Sequence, residues 1–269
     1  MIMSRVSDRL NRLSYSQTFV MSNKARDMKA AGIDVISLTL GEPDFDVPDN
    51  IKKAAFDAIN ENYSHYSPVP GFLELRKAIV NKLKRDNNLD YKPTQICVAN
   101  GAKQNIFNVL AALVNEGDEV ILPAPYWVSY DEMVKINGGV SVFIETNIDT
   151  EFKMTAEQLE AAITPKTKAV LYSSPCNPSG SYYTREELEK IANVMAKYPD
   201  VVIISDEIYE FINYDGEHVS IAEFPQVYEQ TAVINGMSKA FAMTGWRIGY
   251  SACPEWLADA CDKLQGQVT

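Results

Sequence analysis

Two cations eight residues apart, Lys239 and Arg247, are the centre around which the chemistry-bearing residues of this chain can be organised. A lysine amine that is partly unprotonated and held in a cleft condenses with a carbonyl carbon and, once free again, carries protons. Alone, Lys239 reads far more readily as a solvated lysine at a helix start, so its meaning depends on what converges on it. Asp206 closes the run Val201-Val202-Ile203-Ile204-Ser205. A carboxylate at that place either holds a cation in an apolar cleft or caps the segment that follows. Gly101, Ala102 and Lys103 open an apolar-periodic segment, where unpaired backbone N–H groups and the helix dipole favour a phosphate-like anion. Lys103 is a cation in a first turn, mildly unfavourable there and in want of a reason. No metal site is expected: Cys97, Cys176, Cys253 and Cys261 form no CxxC pair, and only His65 and His218 are available beside them.

The elements that must position these residues follow from hydrophobic periodicity. Short β-rich runs lie at Gln95 to Asn100, Glu119 to Pro123, Val140 to Ile144, Ala169 to Ser173, Val201 to Ser205, Thr231 to Asn235 and Arg247 to Ala252. Helical spacing occupies Ala102 to Asn115, Val128 to Ile136, Thr155 to Ile163, Thr184 to Lys197 and Pro254 to Gly266, with Thr155 and Thr184 at N-cap positions. The alternation predicts an α/β fold, a seven-stranded mostly parallel sheet sandwiched by helices. Ligands in such sheets gather beyond the carboxyl ends of the strands. That rule singles out Gly101, Pro123 to Trp127, Ser174 to Gly180, Asp206 to Tyr209 and Gly236 to Lys239. Before residue 95, Ser7 to Ala30 reads as helix and tail, Gly41 to Pro48 as a Pro-containing loop, and Asp49 to Asn60 and Phe72 to Arg85 as helices.

Composition excludes several classes. With 25 basic and 36 acidic residues the net charge is -11, and no Lys/Arg stretch is interleaved with aromatics, which argues against nucleic acid as a partner. The N-terminus carries charge where a secretory signal is apolar, and no apolar run reaches membrane-spanning length. With unpaired cysteines, a soluble cytoplasmic protein is expected.

Together the motifs resemble a known family. They are Gly-Glu-Pro-Asp-Phe at 41 to 45, Tyr63 to Gly71, Asn-Gly-Ala-Lys-Gln at 100 to 104, Pro125-Tyr126-Trp127, Asn-Pro-Ser-Gly at 177 to 180, Asp206-Glu207-Ile208-Tyr209, and Ser238-Lys239 running into Gly245-Trp246-Arg247-Ile248-Gly249. In order and spacing, over essentially the whole chain, they resemble the fold-type I pyridoxal-phosphate enzymes, most closely the class I aminotransferases of the bacterial aspartate aminotransferase group. The resemblance implies pyridoxal 5′-phosphate as cofactor, with Lys239 forming the Schiff base and then shuttling the proton. It implies that Asp206 holds the pyridine nitrogen protonated, that Tyr209 and Asn177 donate to the ring's phenolic oxygen, and that Trp127 lies against the ring. Arg247, Gly101, Ala102 and Lys103 are the implied phosphate shell. Where many relatives place a phosphate-binding serine this chain has Gly236, so the hydroxyl falls to Ser238. Tyr66 resembles the tyrosine that reaches the cofactor phosphate of a neighbouring subunit, which implies a homodimer with shared sites. Gly41, Lys103, Trp127 and Asn177 are the implied substrate contacts, Lys103 facing the distal carboxylate of an acidic amino acid. Pro178 is a candidate for a cis peptide bond.

The implied reaction moves an amino group between aspartate or glutamate and a 2-oxo acid, with prephenate as a further acceptor of the same group of enzymes. Two other readings stay open on these residues: a fold-type I lyase, and a cofactor-binding module with impaired turnover. The division expected is residues 1–45 as an N-terminal arm and part of a small domain and residues 46–269 as the large cofactor domain. The C-terminal small domain of relatives, with its carboxylate-clamping arginine, falls outside this sequence.

Overall fold

The structure, a computed structural model, describes residues 5–269. Seven strands form one sheet: β1 (Ile96–Asn100), β2 (Glu119–Ala124), β3 (Val140–Glu145), β4 (Thr167–Ser173), β5 (Val202–Asp206), β6 (Thr231–Gly236) and β7 (Ile248–Ala252), in the order β1-β7-β6-β5-β4-β2-β3. The pairs β6–β5, β5–β4, β4–β2 and β2–β3 are parallel, whereas β7 runs antiparallel to both β1 and β6. All seven expected strands form, with ends displaced by at most two residues.

The central strands are apolar almost continuously because both faces are covered. Ala169, Leu171, Val202, Ile204, Ala232 and Ile234 point to one face and pack against α5 (Ala102–Leu113), α6 (Ser129–Ile136) and α9 (Glu255–Val268). Val170 and Ile203, one residue out of phase, point to the other face and meet α7 (Ala156–Ala162) and α8 (Arg185–Met195). On that same side Val233 and Tyr250 pack against Ile79 and Leu83 of α4 (Leu73–Asn87). Thr155 and Thr184 cap α7 and α8 through capping boxes closed by Gln158 and Glu187.

The segment before α4 is less regular. The expected helix over Ser7 to Ala30 is broken into α1 (Asp8–Asn11) and α2 (Gln17–Ala30), and α3 (Asp49–Asn60) follows the loop at 41–48. Apolar side chains here stand in solvent: Tyr15, Ile36, Leu38, Phe45 and Tyr66 are all exposed. Among the described residues no helix is long and apolar enough to cross a membrane, and no group of His, Cys, Asp and Glu is arranged to hold a metal.

Candidate active site

The topology decides which loops meet. The carboxyl ends of β1, β2, β4, β5 and β6 share one edge, and β7, running the other way, starts there. Asn100 therefore lies opposite Ile248, and Gly236 opposite Gly249. This register brings Gly101 and Ala102 at the start of α5, Arg247 just before β7 and the Gly236–Lys239 loop to one place. The approach is close enough to demand glycine: a methyl on Gly101 would lie 2.5 Å from Arg247 Nη2, and one on Gly249 would collide with the Ala102 backbone nitrogen. Gly101 has φ 82° and offers the N-terminus of α5 no side-chain cap. Arg247, in the left-handed region at φ 59°, aims its guanidinium back at this terminus, donating to Asn100 O at 3.2 Å and Thr244 O at 3.0 Å. A guanidinium beside an uncapped helix N-terminus is an anion cradle. Ser238 lies buried in the adjoining loop.

Lys239 reaches from that loop to the 41–45 segment, where its Nζ donates to Gly41 O. Its amine lies 5.6 Å from the centre of the Tyr209 ring. Burial is the main cause that lowers its pKa from the ordinary lysine value, Arg247 acts in the same direction, and Glu42 and Asp206 oppose them. The result is an amine easier to unprotonate than a solvated lysine. Thr244 donates to Glu42 Oε1 at 2.7 Å, tying the 41–45 loop to the stretch between Lys239 and Arg247. Asn177 hydrogen-bonds Tyr209, whose phenol is nevertheless pushed up, chiefly by burial and then by Asp206. The Asn177–Pro178 bond is cis, as are Ala124–Pro125 and Ser174–Pro175.

Asp206 ends β5 on the face covered by α6. It is buried, accepts from Tyr130 Oη at 2.6 Å and from the Ile208 N–H at 3.3 Å, and has no ion-pair partner among the described residues. Burial pushes its carboxyl up to about 6; the Tyr130 and Ile208 hydrogen bonds and Lys239 work against that, and Glu207 with it. Trp127 stands edge-on to Tyr130 at 5.5 Å, and the Lys103 amine sits over the Trp127 ring at 4.8 Å. Lys103 is lowered by burial of its amine and then by Arg247. Its place in a first turn thus has a reason, stacking on Trp127 at the mouth of the cleft.

Lys239, Asp206, Tyr209, Asn177, Trp127, Lys103, Gly101, Ala102, Ser238, Arg247 and Gly41 all lie on this edge. Tyr66 does not join them within one chain; it is fully exposed on the loop before α4. Sequence reasoning missed Tyr130, Glu42 and Thr244. Tyr130 was findable, since it falls three residues after Trp127 at the start of one helix. The Glu42–Thr244 contact links positions 202 apart and left no local signal.

These residues fit pyridoxal phosphate. The phosphate matches the cradle of Arg247 and α5, the aldehyde matches an amine with lowered pKa, and a protonated ring nitrogen is the cation that buried Asp206 lacks.

Fold and site together define an α/β protein with an anion cradle and a nucleophilic amine at one sheet edge. The chain belongs to the class I and II aminotransferases, whose family model matches residues 33–269. It is 51% identical over 269 residues to a probable aspartate/prephenate aminotransferase of Rhizobium leguminosarum bv. phaseoli, covering 99% of this chain and 67% of that protein. It is 53% identical over 249 residues to an aspartate aminotransferase of Bacillus sp. (strain YM-2), covering 92% of this chain and 63% of that one. Among solved structures it is similar to the aspartate aminotransferase of Rhizobium meliloti, with TM-score 0.95 and 43% identity, over 99% of this chain and 67% of that one. The Thermus thermophilus enzyme with maleate matches with TM-score 0.95 and 42% identity, over 99% of this chain and 69% of that one. The chain thus spans about two thirds of the length of these relatives.

Proposed function

We propose that this chain is the cofactor-binding part of a pyridoxal-phosphate-dependent aminotransferase acting on aspartate or glutamate and a 2-oxo acid. The observation that carries the reading is the convergence of Lys239, its amine lowered by burial, with buried Asp206 and the Arg247–α5 cradle. The names of the relatives and the maleate, a dicarboxylate, in the Thermus structure favour an acidic substrate, and Lys103 at the mouth of the site is the residue to meet its distal carboxylate.

Each residue then has a task. Arg247, Ser238 and the first N–H groups of α5 hold the phosphate, and Tyr66 of a second chain completes that shell in a homodimer. Asp206 keeps a proton on the ring nitrogen, with Tyr130 fixing the carboxylate. Tyr209 and Asn177 donate to the ring's oxygen, and Trp127 covers its face. When bound, the cofactor supplies an aldehyde carbon that takes the amino group and a ring that accepts the electrons of the Cα–H bond. Lys239 would anchor it through its amine and, when that amine is free, would take the Cα proton of the substrate and return it. Gly41 orients the α-carboxylate. Residues 1–45 are assigned to an arm and part of a small domain, residues 46–269 to the large domain, and the protein to the cytoplasm.

The test is spectroscopic. Purified protein given pyridoxal phosphate acquires the visible band of a lysine-bound cofactor, aspartate or glutamate shifts it, and Lys239→Ala abolishes it. A band that Lys239→Ala retains, or that no amino acid shifts, overturns the proposal.

A further inference from the structure

The turn that carries Asp206 and Tyr209 holds two further buried acids, Glu207 and Glu210, that the proposed chemistry does not use. Both point away from the cleft, because alternation sends Ser205 and Glu207 to the face opposite Asp206. Glu207 is caged: its Oε1 accepts from Ser205 Oγ at 2.9 Å and Ser220 Oγ at 2.7 Å, and its Oε2 faces His218 Nε2 at 3.0 Å. Glu210 accepts from Asn235 Nδ2 and Asn87 Nδ2, both at 2.8 Å, and pairs with Lys82. Each acid thus has two neutral donors and one partner able to carry positive charge. For Glu210 that partner is a lysine from α4. For Glu207 it is an imidazole, whose charge changes near neutrality.

A buried carboxylate left without its counter-charge is costly and projects its field on its neighbours. The neighbour here is Asp206, which Glu207 already pushes toward protonation. The other titratable groups facing this network are Tyr172 from β4, Tyr250 from β7 and Tyr91, all held up by burial first and so neutral near pH 7, besides Lys82 and Glu210. Burial alone pulls His218 down, but the charge of Glu207 and its hydrogen bond outweigh that, and the net direction is up.

We infer that Glu207 and His218 are a positioning pair for the cofactor site: the ion pair pins the Asp206–Tyr209 turn, and protonated His218 cancels the negative charge that Glu207 would otherwise place behind Asp206. The inference rests on the cofactor reading for its effect at the site, but the pair itself is measurable without cofactor.

The chain has two histidines, His65 exposed and His218 largely buried, so both imidazoles can be followed by NMR as pH is varied and assigned with His65→Gln. His218 is expected to titrate above the ordinary imidazole value of 6.5 and to fall toward or below that value in Glu207→Gln. In cofactor-loaded protein, His218→Gln keeps a donor but removes the charge, and the pH midpoint of the visible band should rise by about half a unit or more. Adding Glu207→Gln to His218→Gln should bring the midpoint back toward wild type, which loss of packing alone would not do. A His218 that titrates at or below 6.5 overturns the pair. A midpoint left within about 0.1 unit of wild type in His218→Gln overturns its role at the site. Wild-type protein with no visible band sinks the cofactor reading instead, and the imidazole titration then decides the pair alone.

Discussion

At the scale of single residues, burial moves the titratable groups of the site away from their ordinary values, Asp206 and Tyr209 upward and Lys239 and Lys103 downward. Asp206 shows this most sharply. Its carboxyl is raised from 3.8 to about 6, so the folded state binds a proton more tightly than the unfolded one. The free protein should therefore lose stability as pH rises from about 4 through 6, by up to roughly 3 kcal/mol for two pKa units of a buried group. Asp206→Asn copies the protonated form. Denaturant unfolding should find the variant similar to wild type near pH 4 and more stable than it at pH 7, while its cofactor band is lost. Equal stability differences at the two pH values would contradict this account of Asp206. Such residues were legible in the sequence because their types are unusual for their places: an Asp ending an apolar strand, a Lys in a first turn. Thr244 was not, since a threonine in a loop is ordinary where it stands, and only the folded geometry gives it its partner Glu42.

At the scale of elements, the strands were legible because doubly covered parallel strands are continuous apolar runs, and the helices because of their caps and spacing. What the pattern did not carry was the reversed direction of β7, which follows from pairing and not from periodicity. That reversal is what delivers Arg247 to the α5 terminus. The packing there is tight enough to test. Gly249→Ala should drive the first turn of α5 off β7, with at least a ten-fold loss of cofactor affinity and a destabilisation on the order of 2 kcal/mol, as overpacking typically costs. Gly245→Ala, two residues before Arg247 and with open space around it, is the control and should leave both unchanged. Thr184→Ala removes the cap of α8, which packs on the sheet face opposite Asp206, and should cost about 1 kcal/mol in unfolding without altering the band. If Gly249→Ala binds cofactor as wild type does, the cradle has been misassigned.

At the scale of the whole molecule, the N-terminal third differs from the rest. Ile36 is 89% and Leu38 92% exposed, and Tyr66 is wholly so, whereas the sheet domain buries most of its apolar residues. Such a stretch of exposed apolar and aromatic side chains is a surface made to be covered. A homodimer of the kind proposed would cover part of it and would give Tyr66 its task at the neighbouring site. That arrangement makes a prediction that neither single variant can make. A Tyr66→Ala chain lacks the phenol it should lend, and a Lys239→Ala chain lacks the amine it should use. In a mixed dimer, the site built on Lys239 of the first chain receives Tyr66 from the second and is complete. Tyr66→Ala alone should bind cofactor at least several-fold more weakly than wild type, and Lys239→Ala alone should show no lysine-bound band. Unfolding and refolding the two together should restore, in part of the population, a band with wild-type affinity. A mixture whose cofactor titration is only the sum of the separate variants would mean that Tyr66 serves no neighbouring site, whatever the oligomeric state.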